Sequence, residues 1–429
     1  MGSLVAFLFL FCLVGAEQGA VERTTKVIAH RGSPCRYPEE TMKGYEHAIE
    51  AGVDFIEMDV VSTKDGHLVT RHDIILDEST DVQDSGEFQD KKVTKLVDGK
   101  NMTGYFTIDF DLAEVKRLSA KQRFRFRDQS FDDSGLKVPT LPEILKLVKK
   151  ARKNGKNVGA YIETKRPAFH LGEASGLEVL LVKDLKEAGM LDDPEAIFLQ
   201  SFDKSSLQRL HDLLEKEGVQ MNATWLLQCE KPPPTNKDLE DFAKIGSAIG
   251  SPKQMLYELA PALECNRGFD MGCGETSDDQ DCMGRFANTP DGPPKSNLLE
   301  RVRNAGLELH AFTFRNEMMF MALNFQASVH TELDFFAGPA PGGLAIDGVM
   351  VDCPETVMDW RQAARRIFLN NPSTMNEELE KTESSAGSVM GTLIVLLAGA
   401  AAIVSFLYWK ALQRIKKLNF QRLPRDSSS

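Results

Sequence analysis

The feature that most constrains the fold is an eightfold alternation of short apolar runs with longer amphipathic segments. Helical patterns lie between the runs, such as 42–51 and 141–154, each followed by a glycine that can end a helix. Strands that alternate with helices pair in parallel, and eight such units predict a closed (β/α)₈ TIM barrel with its chemistry at the carboxyl ends of the strands. The runs are VIAH (27–30), FIEMDV (55–60), VGAYIE (158–163), IFLQSF (197–202), ATWLL (223–227), SAIGS (247–251), ELHAFTF (308–314) and DGVMV (347–351).

A ninth run, LVTRHD (68–73), follows the second strand after only the turn TKDG. A parallel crossover needs roughly a dozen residues or more, so this run must return antiparallel, with Asp65-Gly66 as its turn. The hairpin therefore predicts that His72 comes back to the top of the barrel.

The segment 74–138 separates this hairpin from the next strand and has few apolar repeats. Its length predicts a small inserted subdomain next to the functional face. Within it, KQRFRFRDQS carries Arg123, Arg125 and Arg127. A solvated charged run is the simpler interpretation, and contact with an anionic substrate or a membrane is the alternative.

Polar side chains collect where the predicted strands end. Glu57 and Asp59 lie on one side of the second strand, because side chains in a strand repeat every two residues. Glu163 and Lys165 share a face in the same way. The full set predicted to meet at the barrel top is His30, Arg31, Glu57, Asp59, His72, Glu163 and Lys165.

This set points to phosphodiester chemistry. Three neighbouring carboxylates repel one another unless a divalent cation lies among them, and ligands that are all oxygen suit Mg²⁺ or Ca²⁺. Arg31 and Lys165 would then bind a phosphate, and two histidines could divide the proton transfers. Each residue alone has an ordinary structural interpretation, for example His30 as a solvated strand end. Their shared placement favours a catalytic site.

The two ends of the chain predict a membrane protein. Residues 1–16 resemble a secretory signal peptide, although an uncleaved anchor or a buried helix remains an alternative. Residues 370–388 are an acidic stalk, 389–409 a transmembrane helix and 410–429 a basic cytosolic tail. This order predicts a single-pass type I membrane protein with the domain 25–369 in the lumen or outside the cell. The formal net charge of -12 argues against a nucleic-acid partner.

Cysteines and glycosylation sequons agree with that location. Six cysteines remain after the signal segment, and an oxidising compartment makes disulfides expected. Three of them crowd one acidic, glycine-rich stretch, where a cross-linked loop is a better interpretation than a metal site. Asn101 and Asn222 begin the two Asn-X-Thr sequons, and Asn101 is the better glycosylation candidate.

The motifs IAHRG, PEET, FIEMDVVSTKDGHLVTRHD and YIETKRP resemble the glycerophosphodiester phosphodiesterase family, in its long form with an insertion after the hairpin. The resemblance extends over roughly residues 25–365 and also implies a TIM barrel. It implies metal-dependent hydrolysis of glycerophosphodiesters such as glycerophosphocholine to sn-glycerol 3-phosphate and an alcohol. The nucleophile is the neighbouring glycerol hydroxyl or a water.

The resemblance also assigns roles to residues. It implies that His30 and His72 are the general acid and base and that Glu39 contacts the catalytic residues and not the substrate. Glu40 stands where many members have asparagine, a departure that concerns contacts to substrate hydroxyls. The further implied roles are catalysis and phosphate contact for Arg31, phosphate contact for Lys165, and metal ligation for Glu57, Asp59 and Glu163.

Cys35 and Cys353 follow the first and eighth strands, which are neighbours in a closed barrel, and we therefore hypothesise a disulfide between them across the rim.

Two other functions remain compatible with the same fold. One is an enzyme resembling a lysophospholipase D that acts on membrane lysophospholipids, which the nearby membrane segment and the FRFR patch favour weakly. The other is a non-catalytic surface module, for which loss of a ligand or a histidine would be expected. The sequence retains all of these residues.

Overall fold

The computed structural model describes residues 25–131, 135–173, 176–229, 231–256, 295–321, 325, 328–338 and 343–370. The predicted signal segment, transmembrane helix and basic tail lie outside these residues, as do Cys265, Cys273 and Cys282. Within the described ranges, no helix is both long enough and apolar enough to cross a membrane.

Eight parallel strands form a closed barrel, which confirms the predicted fold. The first strand, β1, pairs with both the second and the last strand, so the sheet has no gap between its ends. Each strand lies within two residues of its predicted position. The barrel strands are β1 (Lys26–Ala29), β2 (Phe55–Ser62), β6 (Gly159–Thr164), β7 (Ile197–Ser201), β8 (Asn222–Leu226), β9 (Ala248–Pro252), β10 (Glu308–Phe314) and β11 (Gly348–Val351).

One apolar cluster fills the barrel interior, and each of the eight barrel strands contributes one residue to it. The rings of Tyr161 and Phe198 stack with centroids 4.9 Å apart. Large buried side chains of this kind fill a barrel of eight strands and leave no pore. The members are Ile28, Phe55, Tyr161, Phe198, Leu226, Ala248, Phe312 and Met350.

The helices begin and end where local chemistry predicts. For α1, Thr41 accepts a hydrogen bond from the Gly44 backbone N–H at the start, and Gly52 ends the helix at φ 91°. The helix α3 ends at Lys153, two residues before Gly155. The described helices are α1 (Met42–Ala51), α2 (Leu112–Val115), α3 (Leu141–Lys153), α4 (Pro167–Glu173), α5 (Leu177–Glu187), α6 (Lys204–Lys216), α7 (Asn236–Phe242), α8 (Leu298–Asn304), α9 (Val329–Phe336) and α10 (Pro354–Asn370).

The short strand β3 (Leu68–Thr70) pairs antiparallel with β2, as the sequence predicts for the hairpin. The insertion that follows contains a second hairpin, β4 (Val93–Val97) and β5 (Lys100–Gly104). It has its own apolar cluster, which also includes Val61 and Val69 of the first hairpin. The insertion is therefore packed against the arm that carries His72.

A disulfide joins Cys35 to Cys353 across the rim, with their Cα atoms 5.3 Å apart, which confirms the hypothesised pair. Cys229 is also disulfide-bonded.

The chain divides into a unit Met1–Arg361, which contains the barrel, and a unit Gln362–Ser429. Of the second unit, only the end of α10 is described, and it shows that the helix continues through Asn370, where the stalk was predicted to begin.

The fully buried His170 on α4 should make folding stability depend on pH. Neither ring nitrogen has a hydrogen-bond partner among the described residues, and burial lowers the pKa of His170 from 6.5 to about 4. Between those pH values the unfolded chain binds more protons, so the native state loses stability as the pH falls. We expect the loss to approach about 3 kcal/mol at pH 4.

Urea unfolding of His170→Leu between pH 7 and pH 4 would measure this contribution. We expect the variant to lose less stability on acidification than the wild type. His330→Gln, a change at an exposed histidine, is the matched control and should keep the wild-type slope. Equal slopes for all three proteins would contradict the assignment.

Candidate active site

Three carboxylates meet at the carboxyl ends of β2 and β6. Asp59 and Glu163 lie opposite each other in the parallel register, and Glu57 lies two residues before Asp59 on the same face. One oxygen from each lies within 4.8 Å of the others, and all three side chains are buried. The structure therefore brings together the predicted metal ligands.

The electrostatics of this cluster favour a bound cation. Burial and then the neighbouring Asp59 raise the pKa of Glu57 well above its usual value. Burial raises the pKa of Glu163 to about 8, because burial and the smaller effect of Asp59 together outweigh the lowering by Lys165. Burial alone would raise the pKa of Asp59, but Lys165 and Arg31 hold it well below its usual value. Buried oxygens that resist carrying their negative charge together fit a hard divalent ion such as Mg²⁺ or Ca²⁺.

Two cations border the carboxylates. The Arg31 Nε lies 3.2 Å from Asp59 Oδ2, and the Lys165 Nζ lies 3.4 Å from Asp59 Oδ1 and 2.9 Å from Glu163 Oε1. The Arg31 backbone N–H also donates to Glu57 Oε2 at 2.8 Å. Both side chains line the cleft, where they can contact an anionic group.

Local backbone geometry explains the HRG motif. Arg31 adopts a left-handed conformation with φ 54°, and Gly32 follows with φ 89°. A Cβ at Gly32 would lie 2.9 Å from the Gly44 backbone carbon, so only glycine fits between this turn and α1. The turn aims the Arg31 backbone N–H at the carboxylate cluster.

His30 forms a pair with Asp352, the residue that follows β11. Its Nδ1 lies 2.7 Å from Asp352 Oδ1. Although burial opposes ionisation, Arg315 and Arg127 hold the pKa of Asp352 well below its usual value. An ionised carboxylate only accepts hydrogen bonds, so Nδ1 carries the proton and Nε2 is the nitrogen left for proton transfer in the cleft. Burial, and then Arg31, lowers the pKa of His30.

On the returning arm, His72 lies between Asp73 and Arg123, whose Nη1 is 3.5 Å from the His72 Nδ1. Its Nδ1 lies 3.0 Å from Asp73 Oδ1. Burial, followed by Arg31 and Lys165, lowers the pKa of His72 to about 3. Both histidines line the same cleft.

The cleft has a volume of about 1060 Å³ and extends from the charged groups to an aromatic wall. The Phe202 and Phe312 rings meet edge to face with centroids 6.1 Å apart, and the Lys165 Nζ lies 5.7 Å from the Phe202 centroid. The space beside the cations is therefore large enough for a phosphate with an organic substituent.

Several supporting residues were missed by the sequence reasoning. The Gln200 Nε2, at the end of β7, donates to Glu57 Oε1 at 2.7 Å and fixes that carboxylate. Asp352 was not singled out either. The available signal was position, because Gln200 is a polar residue within an apolar strand and Asp352 directly follows one.

Glu39 contacts Arg31 and is not among the residues that line the cleft. It accepts from Arg31 Nη1 at 3.0 Å, and its pKa falls to about 2 because Arg123 and Arg31 outweigh the effect of burial. Glu40 accepts from the Asp59 backbone N–H at 2.9 Å and from the Tyr45 hydroxyl. Glu40 is fully buried and binds the backbone of β2, and it is not among the residues that line the described cleft. The presence of glutamate where many family members have asparagine therefore affects the strand and not the cleft lining.

Two of the three arginines of KQRFRFRDQS differ from the predicted solvated charged run. Arg123 and Arg127 are 3% and 2% exposed at their side chains and form ion pairs with protein carboxylates. Arg125 is exposed. The first two are therefore internal parts of the site and not a solvated run or a membrane contact.

Comparison with known proteins agrees with this geometry. The model of the glycerophosphoryl diester phosphodiesterase family matches residues 30–356. A glycerophosphodiester phosphodiesterase of Arabidopsis thaliana is 32% identical over 347 residues, covering 78% of this chain and 85% of that protein. A glycerophosphodiester phosphodiesterase of Haemophilus influenzae is 30% identical over 213 residues, covering 47% of this chain and 56% of its own length.

A crystal structure from Silicibacter pomeroyi, described as a glycerophosphoryl diester phosphodiesterase, superposes with a TM-score of 0.50 at 18% identity over 79% of this chain and 94% of that one. This similarity supports the barrel fold alone. The family match covers well over half of the chain, and the plant relative is similar across most of both proteins. The chain therefore belongs to the glycerophosphoryl diester phosphodiesterase family of enzymes.

Proposed function

We propose that this protein hydrolyses glycerophosphodiesters, such as glycerophosphocholine, to sn-glycerol 3-phosphate and an alcohol, with a divalent cation and two histidines. The observation that carries the proposal is the placement of His30 and His72 in one cleft with the buried triad Glu57, Asp59 and Glu163. The names of the plant and bacterial relatives support the substrate class.

The triad is suited to hold Mg²⁺ or Ca²⁺ through carboxylate oxygens. When bound, such an ion polarises a phosphoryl oxygen and offsets the negative charge that grows in the transition state. The same ion would relieve the mutual repulsion of the three ligands.

Arg31 and Lys165 bind the phosphate from the sides of the triad. Each already carries a charge-assisted contact to Asp59, so their side chains are held in place before substrate arrives. Fixed cations in a buried site stabilise developing charge without reorganising during the reaction.

The two histidines divide the proton transfers. One histidine, with no proton on Nε2, accepts the proton of the attacking oxygen, which belongs to the neighbouring glycerol hydroxyl or to a water. The other, protonated on both ring nitrogens, donates its Nε2 proton to the leaving alcohol oxygen. One phosphorus–oxygen bond forms and one breaks. Attack by the glycerol hydroxyl gives a cyclic phosphate that a water then opens, with the same two histidines in reversed roles.

Steady-state assays of the full chain against glycerophosphocholine and lysophosphatidylcholine, with Mg²⁺ or Ca²⁺, test the proposal. We expect glycerophosphocholine to be turned over with release of sn-glycerol 3-phosphate. Preference for lysophosphatidylcholine would favour the lysophospholipase-D-like alternative, and absence of turnover on both would favour a non-catalytic module.

We also propose that the barrel lies in the lumen or outside the cell, with the chain anchored by residues 389–409. The disulfide between Cys35 and Cys353 supports an oxidising compartment. The exposed side chain of Asn101 on β5 supports its use as a glycosylation site, whereas Asn222 is half-buried at the start of β8.

A further inference from the structure

The carboxylate that orients His30 is held by the insertion. Asp352 uses Oδ1 for the His30 Nδ1 at 2.7 Å, and its Oδ2 accepts from Arg127 Nη2 at 2.7 Å. The Arg315 Nε donates to the same Oδ2 at 2.9 Å. Arg127 is fixed in turn by Glu317, whose Oε1 lies 2.7 Å from the Arg127 Nε.

The carboxylate that contacts His72 has a similar arrangement, although the Arg123 Nη1 also lies 3.5 Å from the His72 Nδ1. Asp73 uses Oδ1 for the His72 Nδ1 at 3.0 Å, and its Oδ2 accepts from Arg123 Nη2. The Arg123 Nη1 also lies 3.6 Å from Glu39 Oε1. Each histidine thus faces one oxygen of an aspartate whose other oxygen an arginine binds.

Both arginines belong to one short segment of the insertion, four residues apart. Between them, Phe124 is buried, with the Arg127 guanidinium 4.8 Å from its ring centroid. The segment contributes no strand to the barrel. It nevertheless reaches the two aspartates that contact the histidines, Asp352 after β11 and Asp73 on the hairpin arm.

We propose that Arg123 and Arg127 are positioning residues of the active site, each fixing the aspartate that orients one histidine. This inference rests on the proposed function, because it assumes that both histidines transfer protons. The insertion then contributes positioning residues to the active site, in addition to forming a subdomain beside the barrel.

The physical reason lies in the two oxygens of a carboxylate. An arginine bound to one oxygen restricts rotation of the aspartate and keeps it ionised, so the second oxygen remains an acceptor for Nδ1–H. In a neutral ring that hydrogen bond selects the tautomer in which Nε2 has no proton and can act as a base, and in a doubly protonated ring it fixes the orientation of the Nε2–H donor. Without Arg127, Asp352 is held by Arg315 alone and its carboxylate rotates more freely, so a larger fraction of His30 adopts the other tautomer.

A double-mutant cycle with Arg127→Met and Asp352→Asn, measured on glycerophosphocholine, tests the link. Because Arg315 also binds Asp352, we expect Arg127→Met alone to lower kcat about tenfold with little change in KM. In the Asp352→Asn background the same change should cost less than about twofold, since the residue through which it acts is already altered. Arg125→Met, a matched change at an exposed neighbour, should leave kcat unchanged.

The proposal would be overturned if the fold losses in kcat of the two single variants multiplied in the double variant. An unchanged kcat in Arg127→Met would also overturn it. Urea unfolding of each variant separates loss of positioning from loss of folding. Arg127→Lys should recover part of the activity because it keeps the charge.

A second readout does not depend on turnover. The ring ¹⁵N resonances of His30, recorded at a pH where the imidazole is neutral, report which nitrogen carries the proton. We expect the Nδ1–H form in the wild type and a larger Nε2–H fraction in Arg127→Met. If the wild type turned over neither substrate, the proposed function would fail, while the tautomer measurement would still decide the positioning role. An unchanged tautomer would then overturn it.

Discussion

Replacing His72 by alanine is expected to lower kcat for glycerophosphocholine by about 10² to 10⁴-fold, the usual contribution of a positioned general acid or base. The KM should change little, because His72 contributes a proton transfer and the phosphate contacts belong to Arg31 and Lys165. Steady-state kinetics of the full chain measure both constants. His30→Ala should give a loss of similar size.

The hairpin itself provides a matched control. His67 is exposed on the same hairpin, five residues before His72, and its Nδ1 lies 3.4 Å from Asp65. His67→Ala should therefore keep wild-type kcat. A His72→Ala protein that folds and retains full activity would remove His72 from the mechanism.

Replacing Glu57 by glutamine is expected to abolish divalent-cation binding and to lower kcat at least about a hundredfold. The change removes a negative charge and keeps nearly the same shape. Because burial and Asp59 already raise the pKa of Glu57, the neutral side chain should not destabilise the metal-free fold.

Thermal unfolding with and without Mg²⁺ or Ca²⁺ distinguishes this account from a folding defect. The wild type should be stabilised by the cation, because a ligand that binds only the native state raises its stability. Glu57→Gln should unfold at the wild-type temperature without cation and should not respond to it. Glu195→Gln, a change at an exposed carboxylate, should respond as the wild type does. Full cation stabilisation of Glu57→Gln would contradict its role as a ligand.

The barrel could be predicted because its signals are local. Each apolar run is long enough for one strand, and a residue such as Gly52 ends the helix that follows, so the order of elements determined the topology. The antiparallel arm could be predicted from chain length alone, since the turn before β3 is too short for a crossover. The disulfide between Cys35 and Cys353 followed from the neighbouring positions of β1 and β11 in a closed barrel.

The site could be predicted as far as it depends on strand ends. Glu57 and Asp59 share a face by the period of two, and β6 lies beside β2 in the sheet. The supporting contacts could not be predicted, because they depend on where the insertion folds. The sequence KQRFRFRDQS shows three similar arginines, whereas burial of Arg123 and Arg127 and exposure of Arg125 depend on packing against residues distant in sequence, including Glu317 and Asp352.

The central claim is that the carboxylate triad works with a divalent cation in phosphodiester hydrolysis. The most direct test is turnover of glycerophosphocholine by the wild-type full chain after removal of divalent ions with EDTA, followed by addition of Mg²⁺ or Ca²⁺ to the dialysed protein. We predict that activity disappears on chelation and returns with the cation, while the protein stays folded. Undiminished turnover by the metal-free protein would contradict the account.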